Sequence, residues 1–192
     1  MTTLALLVLS SALAAPPGYT VSKSDTNGCT LYLGPADAQG VKSMRAECVW
    51  PDVKLDTFKA KMGDWAGHAT MFSTVAESNV KKAGDKALVY QRHSTSGIAD
   101  REIMIWMQHE TVDGMERYSW KRADGESLTV KSGNVECPRS TGYWEAKAEG
   151  SGITVVHELS YDPGGRVPGF IVRWFQTSGL EATVAEARTA LK

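Results

Sequence analysis

Short alternating segments occupy most of the chain between residues 73 and 161. In each segment β-branched and aromatic residues recur, and turn signals such as Ala-Gly-Asp, Ser-Gly-Ile-Ala-Asp and Val-Asp-Gly separate one segment from the next. A period of two residues is typical of a strand with one buried face, and this spacing of turns favours an antiparallel meander. The predicted strands lie near residues 73–81, 86–94, 101–110, 115–122, 141–149 and 152–161.

The first third of the chain predicts a hairpin followed by helices. CTLYLG (29–34) and VKSMRAECVW (41–50) read as two strands joined by a Gly-containing turn. Apolar residues at helical spacing indicate a helical stretch over 55–72, with Gly63 ending its first helix. Residues 16–27 are polar and rich in turn formers, so they predict an N-terminal lead-in.

The last element is an amphipathic helix. Apolar residues form one broad face over the final 26 residues, with a bend expected at Gly179 because Gly weakens a helix. This face comprises positions 167, 170, 171, 174, 180, 184, 187 and 191. A meander with one long helix predicts an α+β fold in which a curved antiparallel sheet packs against the helix.

The N-terminus and the cysteines both bear on the compartment. Residues 1–15 are uncharged and apolar with a small-x-small pattern, which predicts a signal peptide cut after Ala14 or Ala15; an apolar strand or helix is the alternative. Export to the periplasm or beyond would permit a Cys29–Cys48 bridge across the predicted hairpin. Three small buried thiols, Cys137 included, are the alternative.

The composition of the chain limits the kinds of partner that we expect it to bind. The 192 residues carry a formal net charge of −1, so no basic surplus indicates nucleic-acid binding. His68, His93, His109 and His157 show no metal-ligand spacing, and no Ser-His-Asp set or paired carboxylates are visible. We therefore predict neither a metal site nor a cofactor.

The stretch YDPGGRVPGF (161–170) invites comparison with a phosphate-binding loop. Such a loop needs Lys and a hydroxyl residue after its glycines, and both are absent here. Asp162 would repel a phosphate, and Pro168 removes an N–H near the helix start. The glycines permit positive φ, so we interpret the stretch as a structural corner between the last strand and the helix.

The same corner resembles the end of START domains, lipid-transfer modules of the Bet v 1-like (SRPBCC) superfamily. ADREIMIW (99–106) is similar to the family's strand that opens with Arg-Asp, with Glu102 in place of Asp. TGYWEAKAEGSGITVVHELSYDPGG (141–165) is similar to its last hairpin, and DWAGHATMFSTVAESNV (64–80) to its short helix and strand. The resemblance covers a domain at 28–192 and implies a helix-grip fold, with the sheet wrapped around the C-terminal helix and enclosing a hydrophobic tunnel.

The resemblance and the alternation of the strands together predict which residues line that tunnel. The expected lining comprises Arg101, Ile103, Ile105, Met107, Trp144, Val155, His157, Leu159, Phe170, Ile171 and Trp174. Arg101 is expected either to pair with a nearby carboxylate or to orient an acidic ligand group. His157 is expected either to bind a ligand hydroxyl or to be a satisfied core histidine, and Gln91 and His93 are further candidates.

Three functions fit this reading. The first is a non-catalytic protein that binds a lipid, sterol or polyketide-like molecule, for transport or sequestration outside the cytoplasm, with transient contact to a membrane. The second is a cyclase/aromatase-type enzyme that uses the same cavity, with His157, Tyr161 or Arg101 as its acid or base. The third is an interaction domain whose cavity is filled by its own side chains.

Overall fold

The computed structural model describes residues 15–192, so the predicted signal peptide lies outside the described residues except for Ala15. Within these residues, four α-helices and ten strands follow one another. The strands are β1 (Thr20–Thr26), β2 (Cys29–Ala36), β3 (Lys42–Trp50), β4 (Val75–Lys82), β5 (Lys86–His93), β6 (Arg101–Val112), β7 (Met115–Arg122), β8 (Val135–Glu136), β9 (Arg139–Glu149) and β10 (Gly152–Asp162). The helices are α1 (Leu55–Met62), α2 (His68–Met71), α3 (Gly169–Trp174) and α4 (Leu180–Ala190).

The strands form one large curved sheet in the order β1-β2-β3-β10-β9-β7-β6-β5-β4. All neighbours in this order are antiparallel, and the short β8 pairs in parallel with β6. The last strand therefore lies between the N-terminal hairpin and the meander. The predicted α+β helix-grip architecture is confirmed.

Alternation along β10 sets which side chains face the helix. Ile153, Val155 and His157 are buried, whereas Thr154 and Val156 between them are partly exposed. On β6 the same parity buries Ile103, Ile105 and Met107. Side chains two residues apart share a face of a strand, so both strands present the predicted residues to the inner face of the sheet.

The main core lies between this inner face and the C-terminal helix. It includes Trp50 and Val53 beside Phe58 of α1, all fully buried, and Val184 and Leu191 from the C-terminal end of the chain. A second apolar cluster under β5 and β6 includes Val89, Ile103 and Ile105. None of the helices within residues 15–192 is long and apolar enough to cross a membrane.

The C-terminal helix has three parts rather than one. A π-helical turn, Phe175–Gly179, separates α3 from α4. Gly179 has helical torsion angles, φ −65° and ψ −47°, so the chain continues through it as helix. The irregularity expected at Gly179 is therefore a π turn that ends there. Such turns change the rotational register of the residues before and after them.

The predicted lead-in, residues 16–27, contains strand β1, which pairs with β2 at the edge of the sheet. Its side chains are exposed on both faces from Thr20 to Asp25. A strand without a buried face carries no alternation of apolar and polar residues, and for that reason the sequence pattern did not reveal it.

Cys29 and Cys48 lie directly opposite each other on β2 and β3, and their sulfurs are bonded. Cys137 is free and buried. The bridge closes a loop between residues 19 apart in the sequence, and it ties the N-terminal hairpin together at its open end.

Reduction of this bridge should destabilise the fold. The loop-closure model gives roughly 3 kcal/mol for a ring of this length. Chemical unfolding with and without a reductant measures the difference in the free energy of unfolding. A Cys29→Ser/Cys48→Ser variant should lose its sensitivity to the reductant, while Cys137→Ala should keep it. Equal stability in both conditions would contradict the prediction.

Candidate ligand-binding cavity

A cavity of about 150 Å³ lies between the inner face of the sheet and the C-terminal helix. Strands β3–β7, β9 and β10 supply its walls together with α2 and the residues that follow it, and the π turn and the start of α4 cover it. Its lining comprises Met44, His68, Phe72, Thr74, Val75, Gln91, His93, Thr95, Ile105, Met107, Trp120, Ser140, Trp144, His157, Leu159, Tyr161, Phe175, Gly179, Leu180 and Thr183. Within the described part of the chain, no Asp, Glu, Lys or Arg lines the cavity.

Five of the residues predicted from the sequence line this cavity. They are Ile105, Met107, Trp144, His157 and Leu159. The further candidates Gln91 and His93 line it too, because they share the inward face of β5. Ile103 and Val155 are buried on the expected face, but they pack into the two apolar clusters beyond the cavity.

The helix residues require a correction. Phe170 is 65% exposed and Trp174 is 38% exposed, and neither lines the cavity. Ile171 is buried, but it lines a separate depression on the outer side of α3. The prediction extended the apolar face of one regular helix, whereas the π turn shifts the register so that Phe175, not Trp174, covers the cavity.

Arg101 also requires a correction. Its guanidinium is buried, but it donates to three backbone carbonyls rather than to a carboxylate or into the cavity. The acceptors are Ala99, Pro163 (3.0 Å) and Gly164 (3.2 Å). Arg101 therefore holds the 161–170 corner against the start of β6.

The corner itself has the structural role that the sequence indicated. Gly164 and Gly165 both have φ of 64°, which a residue with a Cβ rarely adopts. The Asp162 carboxylate accepts a hydrogen bond from the Gly164 N–H at 2.9 Å. A Cβ at Gly164 would also approach Pro138 at 2.6 Å. These contacts turn the chain from β10 toward α3.

Glu102, the neighbour of Arg101, points to the outer face of the sheet. One oxygen of its buried carboxylate accepts hydrogen bonds from the Lys131 N–H (3.1 Å) and from the Asn134 amide. The irregular segment 123–138, for which the sequence predicted no element, is thereby clamped onto the sheet. Glu102 does not contribute to the cavity.

His157 lies in an aromatic stack at one side of the cavity. Its ring is parallel to that of Trp144, with centroids 3.8 Å apart and an interplanar angle of 10°. The Trp120 ring on β7 lies 5.9 Å from the His157 ring, and its Nε1 donates to Ser140 at 2.9 Å. Gly142 leaves room for Trp120, because a Cβ there would lie 2.6 Å from that indole.

A second group of cavity side chains forms a chain of hydrogen bonds that runs from Tyr161 to the Trp65 carbonyl. Ser78 Oγ donates to the Trp65 carbonyl (2.6 Å), so it must accept from the Gln91 amide (3.2 Å). The Gln91 oxygen then accepts from His93 Nε2 (3.1 Å), which leaves His93 Nδ1 to accept from the Tyr161 hydroxyl (3.1 Å). Both ring nitrogens of His93 are thus engaged within the protein.

The cavity histidines are neutral at physiological pH. Burial lowers the pKa of His157 to about 4 and that of His93 to about 4. Burial also lowers the pKa of His68 to about 4, although its Nε2 donates a hydrogen bond to the Met62 carbonyl. Desolvation disfavours the charged form of a buried imidazole. The cavity therefore offers an uncharged, largely apolar surface with a few polar atoms.

A second, outer depression of about 500 Å³ adjoins the cavity. The two spaces share Thr74 and Thr95, so they meet between the ends of β4 and β5. The depression is lined by Ser73, Thr74, Ser94, Thr95, Ser96, Phe170, Ile171 and Trp174. Helix α3 therefore forms one wall of the depression that adjoins the cavity.

Several lining residues escaped the sequence reading. Phe72 and Val75 follow the short helix α2, and Phe175 and Thr183 depend on the π turn. Trp120 carried a usable signal, since it lies on a predicted strand and two residues after the buried Tyr118. Within residues 15–192, no cluster of three or more His, Cys, Asp or Glu is arranged to hold a metal ion.

Replacement of Arg101 by Met should destabilise the fold rather than change the cavity. Three carbonyls at the corner would lose a buried donor, and the loss should be at least about 3 kcal/mol of unfolding free energy. Arg166→Met, at an exposed position in the same corner, is the matched control and should have little effect. Denaturant unfolding of both variants decides this. A stable Arg101→Met protein would contradict the assigned role.

Comparison with known proteins shows which solved structures share this fold. No protein-family model matches the chain. An uncharacterized protein of Pseudomonas aeruginosa is 25% identical over 97% of this chain and 96% of its own length. A STAR-related lipid transfer protein from Xanthomonas axonopodis has a TM-score of 0.79 at 20% identity, over 91% of this chain and 98% of that one.

Two further solved structures are similar at greater distance. Human StAR-related lipid transfer protein 5 has a TM-score of 0.74 at 11% identity, over 91% of this chain and 86% of that one. The Zhui aromatase/cyclase from Streptomyces sp. R1128 has a TM-score of 0.54 at 10% identity, over 79% and 91%. The chain thus has the helix-grip fold of the START lipid-transfer domains, as the resemblance in its sequence predicted.

Proposed function

We propose that this protein binds a hydrophobic small molecule, such as a lipid, a sterol or a polyketide-like compound, and carries or stores it outside the cytoplasm. The observation that carries the proposal is the cavity under the C-terminal helix, whose walls are uncharged and mostly apolar. Two solved structures of similar fold are named as lipid transfer proteins, which supports the same class of ligand.

An uncharged wall suits such a ligand energetically. Each CH₂ group removed from water contributes about 0.8 kcal/mol to binding. A cavity without ionised side chains adds no cost for desolvating charge, so apolar contact alone can supply most of the affinity. The few polar atoms then set the orientation of the ligand.

The volume of the cavity bears on how the ligand enters. A space of about 150 Å³ is large enough for a molecule the size of benzene. Ligand pockets for lipid-sized molecules are roughly 300–1,000 Å³. We therefore propose that α3 and the π turn move outward when a larger ligand binds, which would join the cavity to the adjoining depression.

The contacts of the C-terminal helix favour movement of α3 and the π turn rather than movement of α4. Helix α3 has six residues, no side-chain N-cap, and Ile171 as its one buried residue. Helix α4 buries Leu180, Val184 and Ala187 against the core. Segments with few buried apolar contacts open at lower free-energy cost than the core does.

The histidines do not favour catalysis. A general acid or base works best when its pKa lies near the operating pH, whereas burial lowers the pKa of His157 and His93 to about 4. Burial raises the pKa of Tyr161 well above its usual value, so its proton stays in the hydrogen bond to His93. We propose binding without turnover, despite the similarity of fold to an aromatase/cyclase.

Two features support the proposed export. The uncharged apolar stretch at residues 1–15 reads as a signal peptide, and an oxidising compartment would maintain the bond between Cys29 and Cys48. A carrier of apolar molecules has a use in an aqueous compartment, because such molecules are poorly soluble there.

Native mass spectrometry of the full-length chain, expressed with its own N-terminus in a bacterial host and recovered from the periplasm, tests the proposal. We expect an intact mass that lacks residues 1–14 or 1–15 and a stoichiometric apolar cargo, which organic extraction releases chemically unchanged. An empty protein that also takes up none of a panel of fluorescent lipids would contradict the proposal. That result would favour the interpretation in which side chains fill the core.

Gly179 provides a variant that blocks the cavity. It lines the cavity in a helical conformation, and a Cβ there meets no atom closer than 3.4 Å, so Leu can be accommodated without backbone strain. Gly179→Leu should reduce the uptake of lipid probes at least about tenfold. Ser178→Leu, at an exposed position in the same π turn, should not. Equal uptake by both variants would place the ligand elsewhere.

We further propose that the protein contacts a membrane transiently at the outer depression. Phe170 and Trp174 are exposed there, and the exposed cations Arg166 and Arg173 lie beside them on the chain. Aromatic side chains insert at the interface between water and lipid, and cations are attracted to anionic headgroups.

Phe170→Ser/Trp174→Ser should weaken binding to anionic vesicles by about tenfold or more, because two apolar side chains no longer leave water. Co-sedimentation with vesicles that contain phosphatidylglycerol measures the loss. Val21→Ser/Val49→Ser is the matched control, since these valines are equally exposed on β1 and β3. Equal binding by both double variants would exclude this surface as the contact.

A further inference from the structure

The tautomer of His157 is determined by its position on β10. Its Nδ1 lies 3.1 Å from the backbone carbonyl of Tyr143 on β9. A carbonyl oxygen can only accept, so Nδ1 must carry the proton of the neutral ring. Burial lowers the pKa of the imidazole to about 4, so this single tautomer persists at physiological pH. The other nitrogen, Nε2, is then an acceptor.

Nε2 of His157 has no hydrogen-bond partner. Side-chain nitrogens and oxygens in residues 15–192 that are fully buried and unpartnered belong to Tyr90, Glu102, Arg139, His157 and Arg188. Of these residues His157 alone lines the cavity. Because Nδ1 turns back to the strand, Nε2 is on the edge of the ring farther from the sheet backbone. An orphaned acceptor at a cavity wall is a site for a donor.

The other hydrogen-bonded group of side chains in the cavity has no acceptor left without a donor. Tyr161, His93 and Gln91 satisfy one another in a directed chain that ends at the carbonyl of Trp65. A ligand therefore gains little by approaching that side with a donor. Of the fully buried, unpartnered side-chain atoms in residues 15–192, the one at the cavity is Nε2 of His157, whose ring stacks on Trp144 and lies near Trp120.

We infer that the ligand of this cavity carries a hydroxyl or N–H group that donates a hydrogen bond to Nε2 of His157. This inference rests on the proposed binding function and names the chemical class of the ligand. The structure selects alcohols, phenols and similar donors over hydrocarbons and over molecules whose oxygens can only accept. Leaving a buried acceptor unpaired opposes binding of the latter two classes.

Small probes test the inference without movement of the helix. Phenol and toluene differ by the exchange of a hydroxyl for a methyl group, and both are close to the benzene-sized capacity of the cavity. Anisole has an oxygen that cannot donate. Affinities of the three probes are measured by calorimetry or by ligand-detected NMR, for the wild type and for His157→Phe, which keeps an aromatic ring against Trp144.

The ratio of phenol affinity to toluene affinity is the quantity of interest, since it cancels general changes in the cavity. The ratio should fall about tenfold in His157→Phe, and anisole should follow toluene in both proteins. Leu159→Met is the matched control. It alters an apolar part of the same wall and should shift the affinities of all probes together, with the ratio unchanged.

The outcomes separate the inference from the function. If phenol and toluene bind but their affinity ratio is the same in the wild type and His157→Phe, the cavity accepts ligands and the inference about His157 is wrong. If none of the probes binds to the wild type, the proposed function itself is contradicted.

A measurement on the wild type keeps the test decisive even if His157→Phe fails to fold. The ¹⁵N chemical shifts of the imidazole should show Nδ1 protonated and Nε2 unprotonated. Phenol should move the Nε2 resonance in the direction of a hydrogen-bonded acceptor, and toluene should not. Binding of phenol without that shift, or a ring protonated at Nε2, would overturn the inference.

Discussion

The position of β10 between β3 and β9 is the constraint on which the rest of this structure depends. All eleven of its residues pair with β9 and eight of them, 153–160, pair with β3, so the strand joins the N-terminal hairpin to the meander in one sheet. The same strand presents Ile153, Val155 and His157 to the inner face. Without this central pairing the hairpin and the meander would be separate sheets, and the inner face would have no continuous wall.

The helix covers that wall unevenly, and the cavity is the consequence. Helix α4 packs into the core through Leu180 and Val184, whereas α3 buries only Ile171. The corner that directs the helix is held by Arg101, whose charge is solvated by backbone carbonyls instead of a carboxylate. A buried cation that serves the fold leaves the cavity itself uncharged.

Within the cavity, hydrogen bonding is complete at the ring of His93 and incomplete at the ring of His157. The chain from Tyr161 through His93 is satisfied by the protein and stiffens the β5 side. His157 is equally buried but keeps a free acceptor, because the sheet can satisfy only one of its nitrogens. This difference between the two histidines would orient a ligand that has one polar end, because that end can form a hydrogen bond at His157.

Much of the fold followed from the order of the residues alone. Alternation located the strands from β4 to β7 and the final hairpin, and the parity along β6 and β10, taken together with the family resemblance, predicted Ile105, Met107, His157 and Leu159 as inward-facing. These features are local, since successive side chains of a strand point to opposite faces whatever the strand packs against. The exposed strand β1 escaped because neither of its faces is buried.

The amino-acid sequence by itself determined every strand except β1 and β8, together with the corner and the apolar character of the closing helix, because these follow from local alternation and from residues that permit special torsion angles. The tertiary structure alone decided that Arg101 binds carbonyls, that Phe175 replaces Trp174 at the cavity, and that His157 keeps a free nitrogen. Each of these depends on distances between residues far apart in the chain, and on a π turn whose effect on helical register no local pattern contains.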